Sequence, residues 1–105
     1  YEYAAEVGAR TAPVIVNVTP IGMAGGPEER DAAFGDATIA KASTVFDVVA
    51  MPSETPLITA ARAAGVKVIT GAEVIALQAA EQFERYTGVR PTAQQVAAAS
   101  AVSRA

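Results

Sequence analysis

A chain of 105 residues has room for one small domain, which would bury about 65% of its unfolded surface. Apolar residues make up 51% of it and charged residues 18%, which excludes a disordered chain; much of the apolar share is alanine, pointing to a thin core under closely packed helices. The net charge of −3, without a basic stripe, argues against nucleic acid or an anionic membrane as partner, and the absence of cysteine and histidine removes disulfides, thiolate chemistry and the commonest metal ligand.

No run of 18 apolar residues is long enough to span a membrane, and no basic segment followed by an apolar run opens the chain. The expectation is a cytoplasmic protein without a metal site. The chain starts at Tyr1 rather than at methionine, which suggests a fragment.

Positions 1 to 13 are mixed and read as the tail of an earlier element plus a linker ending at Pro13. "VIVNVT" (14–19) is β-branched and barely alternates, so it reads as a strand buried on both faces. Gly22, Gly25, Gly26 and Pro27 break the chain into a loop over 20–30, and 31–42 is weakly helical or irregular. "TVFDVVA" (44–50) is a second buried strand. Thr55 suits a helix cap, Pro56 its first position and Gly65 the residue just past its end. "VKVIT" (66–70) is a third strand. Thr70 and Glu73 have capping-box spacing, so a helix starts near Gly71 and runs to about Thr87, with Gly88 ending it. Pro91 and Thr92 open a last, alanine-rich helix within 90–105.

Strands alternating with crossover helices predict an α/β fold with parallel pairing. Three strands are few for such a sheet, and the first looks like an inner strand. The chain therefore reads as a single partial domain over 1–105, the C-terminal half of a Rossmann-like doubly wound domain. Its open edge would pair with upstream sequence or with a second copy, giving a homo-oligomer.

In open α/β sheets ligands bind beyond the carboxyl ends of the strands. Here that rim comprises 17–23, 47–52 and 70–73. These segments are either ordinary strand-to-helix turns or a ligand rim. "GMAGG" lacks the spacing of a dinucleotide fingerprint. Asp47, inside a strand, needs partners: it either bonds loop amides, the favoured reading, or orients a ligand. Glu54 and Glu73 fit helix-dipole and capping roles, and Met23 and Met51 read as packing residues that could also line a pocket. Gln78 lies one turn beyond Val74, either at the edge of the buried face with its amide in solvent or pointing into a cleft.

"VNVTPIGM" (16–23), "FDVVAMPSETPL" (46–57) and "TGAEVIALQAAEQFERYTG" (70–88) occur in that order. Together they resemble the C-terminal part of the shikimate dehydrogenase family, and most closely its shikimate-dehydrogenase-like branch. The resemblance covers about positions 14 to 92. It implies an oxidoreductase using NADP or NAD that moves a hydride between the nicotinamide and the C3 alcohol or ketone of a cyclohexene carboxylate. It also implies an N-terminal domain absent from this sequence, carrying the catalytic Lys and Asp, with the active site in the cleft between domains. Lys41 and Lys67 do not match that lysine.

Carried over by position, Thr19, Pro20 and Ile21 resemble the loop against the cofactor, and Val48 the residue beside the nicotinamide. Gly71 resembles the backbone contact to the carboxamide, Val74 the residue beneath the ring, and Gln78 the amide that bonds a substrate hydroxyl. Ala50 stands where the family commonly has a tyrosine, Val74 where it has methionine, and Tyr86 where it has tryptophan. The alternative is a non-catalytic Rossmann-like module for binding or self-association.

Overall fold

The structure, a computed structural model, describes residues 1 to 103; positions 104 and 105, at the end of the last predicted helix, lie outside the described residues. Three strands, β1 (Val14–Asn17), β2 (Thr44–Asp47) and β3 (Lys67–Ile69), form one parallel sheet in the order β1-β2-β3. Around it lie α1 (Asp36–Lys41), α2 (Pro56–Ala63), α3 (Gly71–Thr87) and α4 (Ala93–Ser103). This is the expected α/β architecture, with the strands two, three and two residues shorter than their β-branched runs. All but Val66 of the trimmed residues sit at the carboxyl ends of the strands, where the chain turns into the rim.

The core occupies one face of the sheet. Ile15, Val45 and Val68 stand side by side in register on β1, β2 and β3, and Ile39 of α1 with Leu57 and Ala61 of α2 packs over them. Ile39, Val45, Leu57 and Ala61 are at most 1% exposed. Burial of Ile39, Val45 and Leu57 contributes about 1.5–3 kcal/mol each.

The other face carries Val14 and Val16, which are exposed, beside half-buried Phe46 and Ile69. This corrects the expectation that the first strand is buried on both sides. No helix among the described residues covers Val14 and Val16, and β1 leaves one edge unpaired. The run fails to alternate in hydropathy although it alternates in burial, because both faces are apolar and only one is covered.

Helix boundaries follow local chemistry. Thr55 Oγ1 accepts from Ile58 N at 3.2 Å with Pro56 in the first turn, and Gly65 follows the C-cap Ala64. Thr70 and Glu73 form the full capping box of α3, which ends at Gly88 in the left-handed conformation with φ 72°. Thr92 and Gln95 make a second reciprocal pair at the start of α4. Helix α4 buries none of its residues and lies along α3 across an apolar groove of about 600 Å³ lined by Phe83, Val89 and Val96. The segment expected to be weakly helical or irregular resolves into an irregular stretch to Gly35 and then α1.

Candidate functional site

The strand ends converge on a buried polar cluster. Asn17 ends β1 and Asp47 ends β2, and the two are register partners on the core-facing side. They are 2% and 0% exposed. One step back along both strands, the same face is apolar, with Ile15 opposite Val45.

Asn17 Nδ2 donates to Asp47 Oδ1 and to the carbonyl of Ile21, both at 3.1 Å. Asn17 Oδ1 accepts from Thr19 N at 3.0 Å and from Thr19 Oγ1 at 2.6 Å. Asp47 Oδ1 also accepts from Val49 N at 3.0 Å, and Oδ2 accepts from Thr55 Oγ1 at 2.7 Å. Asp47 thus bonds a loop amide, as its favoured reading expected, and two side chains besides. Among the described residues no buried side-chain polar atom lacks a partner. That matters because a buried charge without hydrogen bonds is strongly unfavourable.

The loops built on this cluster form the rim. Ala24 N donates to Met51 O at 2.9 Å and joins the first loop to the second. The start of α3 closes on the second loop. A Cβ added at Gly71 would lie 2.5 Å from Val48 O and 2.6 Å from Val49 O, so glycine allows the helix to seat there. Glu73 N is satisfied by Thr70 Oγ1 and Val74 N by Thr70 O, which leaves the first two N–H groups of α3 without intrahelical acceptors.

The structure brings Thr19, Pro20, Ile21, Val48 and Gly71 together through these contacts. Thr19 and Pro20 are exposed, Ile21 is half-buried, Val48 is 41% exposed and Gly71 is buried. Val74 and Gln78 continue from Gly71 at the i+3 and i+7 spacing of one helix face. Ala76, Ala80 and Phe83 line the opposite side, against α4. Val74 is half-buried and Gln78 exposed. At 1.5 Å per residue, Gln78 lies about 10 Å along α3 from Gly71. A ligand touching both ends of this face must be extended.

Other candidates fall elsewhere. Glu54 does not cap α2: it accepts from Arg62 Nε and Nη2 at 2.8 to 3.1 Å, which raises the guanidinium pKa above its ordinary value. Arg90 bonds Glu81 and Glu84 across the α3–α4 turn and is raised for the same reason. Met23 and Met51 are 43% and 58% exposed, so neither packs in this core. Lys67 opens β3, and Lys41 precedes the start of β2, both at the end of the sheet opposite the rim. Among the described residues no group of three or more His, Cys, Asp or Glu is gathered as a metal site would need. The sequence marks Thr55 only as a helix cap and Asn17 only as part of the rim segment 17–23, and neither as a partner of Asp47. The available signal was an amide in an otherwise β-branched run.

No family model matches the chain. A shikimate dehydrogenase-like protein of Haemophilus influenzae is 53% identical over 104 residues, 99% of this chain and 38% of that protein. The solved structure of a shikimate 5-dehydrogenase-like protein superposes with a TM-score of 0.93 at 52% identity, over 98% of this chain and 38% of that one. This chain is homologous to the C-terminal part of shikimate dehydrogenase-like proteins. A more distant member of the group, quinate dehydrogenase from Corynebacterium glutamicum in complex with NAD, gives a TM-score of 0.72 at 34% identity, over 88% of this chain and 31% of that one. The chain therefore spans about a third of the length of these relatives. The likeness extends to the Rossmann-like sheet with its flanking helices.

Proposed function

We propose that this chain is the C-terminal half of the nucleotide-binding domain of a longer dehydrogenase of the shikimate or quinate type, using NADP or NAD. One observation carries the reading. The three sequence blocks that resemble the family meet on one rim at the carboxyl ends of adjacent parallel strands, the first two through the loops after β1 and β2 and the third through the start of α3.

In this reading Thr19, Pro20 and Ile21 lie against the cofactor, and Val48 sits beside the nicotinamide. The backbone of Gly71 bonds the carboxamide, Val74 supports the ring, and Gln78 bonds a hydroxyl of the cyclohexene carboxylate. The bound nicotinamide supplies or receives the hydride at C3 of the substrate. The roughly 10 Å from Gly71 to Gln78 suits cofactor and substrate lying end to end along α3. The general acid and base belong to an N-terminal domain.

Steady-state assays test this on the longer polypeptide and on the 105-residue chain. Shikimate, quinate and related acids are offered with each nicotinamide. Turnover is expected from the longer polypeptide and none from the chain alone; turnover by the isolated chain would overturn the assignment of roles.

A second reading is favoured by the unpaired edge of β1, where Val14 and Val16 are 56% and 40% exposed. Such an edge is a template for pairing. The isolated chain is expected to self-associate through it, and sedimentation as a clean monomer at tens of micromolar, a range in which weak association is visible, would count against that.

A further inference from the structure

We propose that Asn17, Asp47 and Thr55 act together as a positioning unit that sets the two rim loops relative to each other before any ligand arrives. The proposal rests on the reading of that rim as the nicotinamide-facing surface.

The three residues come from three elements: the end of β1, the end of β2 and the cap of α2. All three are buried. Their bonds to the backbone go to Thr19 N, Ile21 O, Val49 N and Ile58 N. Three of these four groups belong to the rim loops.

Packing does not require this chemistry. Ile15 and Val45, the preceding pair on the same sheet face, fill equivalent positions with apolar side chains. A buried polar network is costly unless every member is satisfied, and this one is satisfied by the loops themselves. The amide of Asn17 spans the gap, holding Thr19 through its oxygen and Ile21 and Asp47 through its nitrogen. Asp47 then holds Val49, whose carbonyl and that of Val48 form the seat of Gly71. A continuous chain of contacts therefore runs from Thr19 through Asn17 and Asp47 to the start of α3. The rim is preorganised, and a shift at Asn17 moves the groups facing the ring.

The test uses the longer polypeptide carrying Asn17→Ala, with Asp47→Asn as a milder variant and Ile39→Val as a core control distant from the rim. Kinetics are measured well below each melting midpoint and normalised to folded protein. Asn17→Ala is expected to lower kcat/KM for the cofactor by about tenfold or more, the scale of small misplacements in a site, and Asp47→Asn to act in the same direction more weakly. Ile39→Val is expected to lower the midpoint with kcat and KM unchanged. Rim variants that lose midpoint but keep kcat and KM, as the control does, overturn the proposal.

A parent without nicotinamide-dependent turnover refutes the functional reading instead. Amide exchange in the 105-residue chain then decides the positioning. In Asn17→Ala the Thr19 amide is expected to exchange at least about tenfold faster while that of Val45 is unchanged, since only the side-chain bond is lost. Equal exchange at Thr19 overturns it.

Discussion

Gly71→Ala tests the closure of α3 onto the rim. The added methyl would stand 2.5, 2.6 and 2.7 Å from Val48 O, Val49 O and Val49 C, all backbone atoms. No side chain can swing aside. Overpacking of this kind costs about 3 kcal/mol, the upper part of its usual range. Replacing glycine by alanine in a helix recovers at most about 1 kcal/mol. The net loss is about 2 kcal/mol, which lowers the melting midpoint of a domain this size by about 10 °C. Thermal unfolding followed by circular dichroism, with a urea midpoint as a second probe, reads the change directly. An unchanged or raised midpoint would refute the close approach, and with it the argument that a glycine is needed to seat the helix.

At Gly88 the same substitution meets open space but a φ of 72°, so backbone strain alone should cost about 1–2 kcal/mol of unfolding free energy, read as a lower melting midpoint. Gln78→Leu, at an exposed helix position, should change unfolding free energy by no more than about 0.5 kcal/mol. In the longer polypeptide it should raise KM for the acid substrate by about tenfold, the scale of one lost hydrogen bond, as steady-state titration will show. Histidine and cysteine are absent, and Arg62 and Arg90 are raised above an already high value. A base raised in the folded state stabilises below its unfolded pKa and loses that contribution only above it, so these arginines add no slope near neutrality. The melting midpoint should stay within about 2 °C from pH 6 to 9.

Helix ends were legible because their signals are local. Thr55-Pro56, Thr70 with Glu73, and Gly88 each act within a few residues of themselves, and each behaves as its spacing implies. Thr92 with Gln95 has the same spacing and was readable in the same way. The polar cluster was not legible as a unit. Asn17 and Asp47 are 30 residues apart, and only strand register makes them partners. Hydropathy overstates the burial of the first strand because it records what a residue can bury against, and no covering layer for Val14 and Val16 is present among the described residues. The Glu54–Arg62 pair was not legible because Arg62, eight residues on, is brought alongside only when α2 forms.

The central claim is that the rim of Thr19, Ile21, Val48 and Gly71 faces a nicotinamide. A structure of the longer polypeptide with NADP or NAD bound tests it most directly. The nicotinamide ring is expected between the Thr19–Ile21 loop and the start of α3, with the carboxamide on the Gly71 backbone and Gln78 beyond it, facing the substrate pocket. A cofactor bound away from these strand ends, or no binding of either nicotinamide, would contradict it.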